Sequence, residues 1–518
     1  MTHGRRSPFM RYFLGIDIGT SGVKAALVDE RGRVKRATTA AHPLFTPRPG
    51  WAEQKPQDWW KSTISALKKL LPSTGVQASQ IASVGLSGQM HSSVFLDRAN
   101  KVIRPALLWC DGRTTEECRE ITRRVGEERL SEWVGNPAFE GFTLSKVLWL
   151  KKHEPAAFAR LEKVVLAKDY IRYRLTGALA SEPSDASATL MYDTARHRWS
   201  EAIMEALELD SHILPDLGGS TEILGTVTRA AARTTGLLEG TPVVGGGADN
   251  ACGAVGVGLV SSKEAVASWG TSGTVLTPTP RPVVDPGLRV HTFCHVVPDT
   301  WYLMGVVLTA GGAFGWHARE LARELSPKSN VELLLNREAG RVRPGADGLT
   351  FLPYLQGERT PHRDASARAA FVGLSLAHTR AHMSRAVTEG ICFALRDCFA
   401  VLQTLSSAIE RVLVTGAGAK SAFIRKMQAD VYGMPVVRVH PEEGPAYGAA
   451  LLAAVGVGAF PDVATACKRT LKRLSPEASD PEMHRIYEEP YSRFQRLYPA
   501  LRSLHTESVT KSSNHKSS

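Results

Sequence analysis

Asp17 closes the β-rich run 12–17 and leads directly into the turn Gly19-Thr20-Ser21-Gly22. Glycines and small hydroxyl residues in a tight turn let backbone N–H groups approach phosphate oxygens, and the Thr20 and Ser21 hydroxyls add further donors. A carboxylate at a strand end, just before such a loop, is well placed to hold Mg2+ through its water shell, since that ion keeps several waters and few protein ligands. The plainer alternative is an exposed hairpin turn capped by its own Asp. The same tetrapeptide returns at Gly270-Thr271-Ser272-Gly273, again between two strand-like runs, 265–269 and 274–277. Two such turns facing each other would clamp a triphosphate from both sides.

Phosphoryl transfer to an alcohol is mostly positioning and charge stabilisation, with a carboxylate accepting the hydroxyl proton. Asp249 suits that role, because it follows Gly245-Gly246-Gly247-Ala248 and precedes Asn250, so the glycines form a turn that leaves a side chain projecting into a cleft. Its alternative is an Asp capping the helix that follows. A third glycine turn, Gly416-Ala417-Gly418, lies between a strand, 411–415, and a helix from about 421 to 432. It offers flat backbone against which an adenine ring can lie, with Ser421 near the helix start. A P-loop fails here because Ala419 precedes Lys420-Ser421 where glycine is required. A dinucleotide fingerprint has Ser421 at its third glycine position, which leaves an NAD-linked oxidoreductase weakly supported.

These residues need elements to hold them. The first unit opens as an antiparallel meander of three strands through the turns at 19–22 and 30–32. A helix over 57–71, a short buried strand over 81–86 and a helix over 144–152 then alternate as in an α/β protein. Near residue 260 the pattern restarts, which suggests two structurally similar halves. Further helices are expected over 444–455 and in the aromatic-rich segment 482–503. A chain of 518 residues exceeds one ordinary hydrophobic core. We therefore expect two domains, 11–260 and 261–503, with 1–10 and 504–518 disordered.

Hydrophobic residues at 43% and charged residues at 22% fit a globular protein. The longest apolar stretch, 446–460, is shorter than a membrane span of about 20 residues, so no membrane partner is expected. Seven scattered cysteines show neither a disulfide framework nor zinc spacing, and a reducing cytoplasm is the default compartment. The net charge of +12 is spread along the chain without a basic, aromatic-laced patch, which argues against nucleic acid. A monomer or homodimer acting on small molecules remains.

With a D-x-G-T loop opening the chain, a G-T-S-G loop midway and a late glycine turn, the sequence resembles the actin-like kinases of the FGGY carbohydrate kinase family over almost its whole length. GFTLSKVLWLKKHE (141–154) and AAFVGLSLAHTRAHMSRAVTEG (369–390) resemble the two signature stretches of that family. Its xylulokinase branch shows related versions of GWAEQKPQDWW (50–60), GLSGQMH (85–91), LLWCDGRT (107–114), GGGADNACGAVGVG (245–258) and LPYLQGERTPHRD (352–364). The resemblance implies an α/β fold of two actin-like, RNase-H-like ATPase domains, with ATP, Mg2+ and a sugar in the cleft between them.

It also implies site residues. Asp249 matches the catalytic base, with Asp17 at the metal. Met90, His91, Trp109, Asp111, Arg113 and Asn250 match the sugar site, and Trp51 and Glu53 are weaker candidates. Thr20, Ser21, Gly270, Thr271, Gly416, Gly418 and Ser421 match the ATP site. Three residues depart from the pattern: Cys110 where Asn is common, Ser92 where Gly is usual, and Ala417 inside a glycine run. The first two bear on which sugar is bound. The expected reaction is phosphorylation of D-xylulose at O5. The alternatives are another sugar or polyol, such as ribulose, gluconate or glycerol, and a non-catalytic actin-like nucleotide-binding regulator.

Overall fold

Tyr12–Ile18 alternates little and is buried along nearly its whole length, as the central strand of a sheet covered on both faces must be. In the computed structural model, which describes residues 10–325, 330–406 and 409–514, it pairs antiparallel with Gly22–Asp29. That strand pairs antiparallel with Val34–Ala41, completing the expected meander. On its other side Tyr12–Ile18 pairs parallel with Ile81–Gly88, which pairs parallel with Pro242–Val244. Parallel neighbours need long crossovers. The first crossover contains the helix Pro56–Leu70, whose buried Trp59, Thr63, Ala66, Leu67 and Leu70 pack toward the meander.

The second half repeats this order. Glu264–Trp269 pairs antiparallel with Gly273–Thr279, and that strand pairs antiparallel with Trp301–Val307. On the other side Glu264–Trp269 pairs parallel with Arg411–Thr415, which pairs parallel with Val436–Val437. Numbering each set of five strands along the chain, both sheets read 3-2-1-4-5. The recurrence of Gly-Thr-Ser-Gly therefore marks a repeated topology, with each copy turning strand one into strand two.

The helix Pro445–Gly456, late in the chain, returns to the sheet of the first half. It is apolar on every side and packs on Tyr12–Ile18 and Ile81–Gly88 of the first sheet, and on the helix Asp249–Gly256. A helix without a polar face has to be enclosed. The approach is close: a Cβ on Gly15 would lie 1.8 Å from the Ala446 oxygen, one on Gly85 1.9 Å from the Ala449 oxygen, and one on Gly448 1.9 Å from the Cys252 oxygen.

The aromatic segment packs back as expected. Tyr487, Tyr491 and Phe494 meet Phe393 of the long helix Arg380–Leu405. Of the ends expected to be disordered, 1–9 and 515–518 lie outside the described residues. The last helix, Pro481–Asn514, runs past 504, which corrects that expectation as far as Asn514. Propagation adds one hydrogen bond per residue to an existing helix, so it can continue into polar sequence. Among the described residues no helix is long and apolar enough to cross a membrane.

Gly448→Ala sets a methyl group against a backbone carbonyl that no rotamer change can clear. It should lower stability by about 1–3 kcal/mol or more. In the facing helix Gly253→Ala would meet only Pro445 Cγ, at 3.7 Å, and should be neutral or mildly stabilising. Thermal denaturation of the two variants beside the parent checks this, and equal midpoints would refute the close-packing account.

Candidate active site

The parallel strands of the first sheet end together, and the candidate residues hang from those ends, where open α/β sheets bind ligands. Asp17 stands opposite Ser87 on one side of Ile81–Gly88 and opposite Lys24 on the other side of its own strand. On the far side of Ile81–Gly88 the short strand Gly247–Ala248 pairs with Ser87 and Gly88. Met90 and His91 follow the same central strand. One strand thus brings together three motifs that lie about 70 to 160 residues apart in sequence.

Asp249 is the first residue of the helix Asp249–Gly256, not its cap, so the capping alternative does not describe it. Its loop is held from behind. Gly246, at φ 73°, is pressed to the Leu86 carbonyl, which a Cβ would meet at 2.0 Å. The Ala248 N–H donates to Ser184 Oγ at 2.9 Å, and that hydroxyl donates to Glu182 at 2.7 Å. Arg172 donates to the Gly245 oxygen at 2.8 Å. Lys168 bridges Asp169 at 2.7 Å and Asp185 at 3.0 Å, all of it buried. The sequence reading missed this cluster; its signal was six charges between 168 and 185, four of them within 168–174.

Burial, then the charges of Asp17 and Asp185, push the Asp249 carboxyl well above the ordinary carboxylate range. Burial also pushes Asp17 up to about 6, with Ser87 and Lys24 drawing it partly back. Asp17 Oδ1 has no hydrogen-bond partner among the described residues. Lys24 is tied to Glu443 at 2.5 Å, linking the first meander to the loop before Pro445.

Two cavities of about 220 Å³ each meet at Asp249 and Asn250, with Ser268 and Thr274 of the second half also on both walls. The first cavity reaches Asp17, Thr415 and Gly444. The second reaches Met90, His91, Trp109, Phe142 and Arg359. Asn250 joins the two sides, its Nδ2 lying 3.1 Å from Asp249 Oδ1 and 3.3 Å from Met90 Sδ. His91 adopts φ 64°, donates from Nδ1 to the Ala188 oxygen at 2.6 Å, and is held neutral by burial, at about 3. The buried Lys146 fixes this turn by donating to the His91 and Gly141 oxygens at 2.8 and 2.6 Å.

Not every expected residue reaches a cavity. Asp111 and Arg113 line neither. Asp111 accepts from Arg113 and from the Ala52 N–H, while Arg113 also bridges Glu53 at 2.8 Å and stacks on Trp51 at 3.6 Å. This bidentate, stacked pair engages its own polar groups and packs with Trp51 and Glu53. Cys110 is exposed and Ser92 is buried, and neither lines a cavity.

The phosphate-loop candidates divide similarly. The Thr20 hydroxyl is engaged, donating to Gln89 at 3.1 Å and accepting from Trp109 at 2.9 Å. Ser21 is exposed at its turn. In the second loop Gly270 and Ser272 line the cavity, whereas the Thr271 oxygen accepts from Ala310 and Gly312 N–H groups. Gly416-Ala417-Gly418 forms a helical turn, Gly416–Lys420, where an open turn was expected. Its glycines fit against Trp269, since a Cβ on Gly418 would lie 2.8 Å from that ring. Ser421 caps the helix Ala422–Tyr432. Gly416, Gly418 and Ser421 line neither cavity, and Thr415 is the residue of that segment that does.

The arrangement sets an unpaired carboxylate, the hydroxyl-and-glycine turn at Gly270 and Ser272 and a second carboxylate around a junction between two cavities, groups suited to transfer from a polyphosphate to an alcohol, while the turn 19–22 lines neither cavity. Residues 12–256 match the N-terminal domain of the FGGY family of carbohydrate kinases, and residues 265–457 match its C-terminal domain. The chain is 39% identical to the xylulose kinase of Bacillus subtilis (strain 168) over 96% of its own length and 99% of the relative's. It is 41% identical to that of Lactococcus lactis subsp. lactis over 94% and 97% of the two chains. A solved structure described as a "xyloylose kinase from Brucella ovis" superposes with a TM-score of 0.87 at 35% identity, covering 95% of this chain and all of the other. The fold, the site and these likenesses agree, and the chain belongs to the FGGY family of carbohydrate kinases.

Proposed function

We propose that this carbohydrate kinase transfers the terminal phosphoryl group of ATP to O5 of D-xylulose, giving xylulose 5-phosphate and ADP. The observation that carries the reading is Asp249 on the common wall of two cavities, one leading to Asp17 and the other to Met90 and His91. The xylulose kinases among the relatives support the choice of sugar. Seven free cysteines suit a reducing compartment, the cytoplasm.

In this reading the sugar occupies the cavity of Met90, His91 and Trp109, with O5 beside Asp249. Asp249 takes the O5 proton as the oxygen attacks phosphorus, and Asn250 keeps the carboxylate aimed through its amide. The triphosphate lies between the two glycine turns, where backbone N–H groups and the Ser272 hydroxyl meet its oxygens. Closure of the two halves excludes water, which would otherwise accept the phosphoryl group. Among the described residues no three His, Cys, Asp or Glu side chains form a metal cluster. The unpaired, buried Asp17 oxygen nevertheless fits Mg2+, which is held largely by substrate phosphates and water. Bound there, Mg2+ supplies positive charge that neutralises the triphosphate and favours ionised carboxylates.

Three outcomes test this reading. In assays of ADP release against ketoses, aldoses and polyols, D-xylulose should have the highest kcat/KM. A clear preference for ribulose, gluconate or glycerol would displace the substrate while leaving the kinase. Asp249→Asn should lower kcat by roughly 10²- to 10⁴-fold with nucleotide binding retained by calorimetry, and near-normal turnover would remove Asp249 from its role.

The third outcome concerns pH. The folded-state pKa of Asp17, about 6, lies above its ordinary value of 3.8. Its share of stability is present below the ordinary value and is lost as pH rises through about 6. Asp17→Asn, which cannot ionise, should therefore gain on the ligand-free parent as pH rises from 5 to 7.5, by on the order of 1–2 kcal/mol. Thermal midpoints at both pH values measure the gap. A constant gap would contradict the buried-carboxylate account.

A further inference from the structure

Arg359 lies in the stretch 352–364, and none of the chemistry above uses it. It reaches the sugar-side cavity from the second half of the chain, whereas Met90, His91 and Trp109 come from the first. Its backbone is fixed: Glu358 accepts the N–H groups of Arg359 and Thr360, each at 2.9 Å. The Thr360 hydroxyl accepts from the Val306 N–H at 3.0 Å and donates to the Arg289 oxygen at 2.8 Å. Val306, on the strand Trp301–Val307, lines the same cavity.

The guanidinium is stationed over the Phe139 ring, 5.2 Å from its centroid. Among the described residues no carboxylate comes within ion-pair distance of it, and none of its N–H groups has a hydrogen-bond acceptor. Arg113 is the contrast, with Asp111 and Glu53 both engaged. Arginine carries five donors and no acceptor, and with only the charges of Glu140 and Glu358 nearby, beyond ion-pair distance, this guanidinium is available to an oxygen-rich ligand at the cavity wall.

The position of its charge says which part of the ligand that is. Arg359 acts on His91 and His291, while the leading charges on Asp249 are Asp17 and Asp185. Arg359 lines the cavity that holds His91 and Phe142 and is absent from the one that reaches Asp17, which sets it at the His91 side of the junction. We infer that Arg359 is a substrate-binding, specificity-determining residue that donates hydrogen bonds to the C1–C2 hydroxyketone oxygens of the sugar, across the junction between the two halves. This rests on the proposed seating of D-xylulose with O5 at Asp249. It also gives the second half a direct hold on the sugar, so sugar binding favours the closed arrangement.

The test pairs Arg359→Met and Arg359→Lys with D-xylulose and 1-deoxy-D-xylulose, which lacks O1. The parent protein should disfavour the deoxy sugar by about tenfold or more in kcat/KM. R359M should raise the KM for D-xylulose by about 10- to 100-fold, leave the KM for ATP unchanged and lose most of the discrimination between the sugars. R359K should recover part of both. Parent-like KM and discrimination in folded R359M would overturn the inference alone. So would a raised KM for ATP with an unchanged KM for the sugar, which would assign the guanidinium to the nucleotide. If R359M does not fold, R359K and the deoxy-sugar ratio of the parent decide, and a parent indifferent to O1 overturns the inference. A parent that does not phosphorylate D-xylulose at all overturns the substrate reading, and this inference with it.

Discussion

The architecture turns on a backbone-to-backbone contact. The helix Pro445–Gly456 lies on Tyr12–Ile18 and Ile81–Gly88 because Gly15 and Gly85 leave no side chain beneath it. Its own Gly448 in turn admits the carbonyl of Cys252 from the helix Asp249–Gly256. Asp17 ends one of these strands, Met90 follows the other and Asp249 begins the facing helix, so all three groups share one rigid floor. A single methyl group at this contact would displace Asp17, Met90 and Asp249 relative to one another.

That floor supports an electrostatically costly arrangement. Asp17 and Asp249 are buried near each other, and each is pushed up by desolvation. Asp185 adds negative charge from behind, within a cluster whose visible work is mechanical: Arg172 and Ser184 hold the loop that carries Asp249. Carboxyls kept out of their preferred state are common where function requires them. In the proposed reading, a metal-bound nucleotide would bring positive charge to this pair, and its binding would stabilise the fold.

The second half contributes less obvious parts. It supplies Ser268, Ser272 and Thr274 to the cavity walls and sends Arg359 toward His91. It does so with the strand order of the first half, so the two glycine turns arise at equivalent places in the two sheets. The long return of the chain through Pro445–Gly456 ties the halves together, and the Lys24–Glu443 pair adds a second tie next to Asp17.

Much of this was legible in the sequence. The meander, the helix expected over 57–71, the repeat of Gly-Thr-Ser-Gly and the separate settings of Asp17 and Asp249 follow from local patterns that a strand, a turn or a helix start imposes on its own residues. Met90 and His91 were marked by the family resemblance, and they follow the strand Ile81–Gly88. What the sequence did not reveal depends on which side chains find partners. Asp111 and Arg113 sit beside Trp109 in the chain, yet they pack with Trp51 and Glu53, because a bidentate ion pair stacked on tryptophan is more stable than two half-satisfied groups at a cavity. Gly416 and Gly418 meet Trp269 and line neither cavity, since close packing across a sheet edge demands glycine just as a ligand would. The cluster behind Asp249 and the free donors of Arg359 have no spacing signature at all. Hydrogen bonds and desolvation act between residues brought together from distant parts of the chain, and only the tertiary structure decided which of them meet.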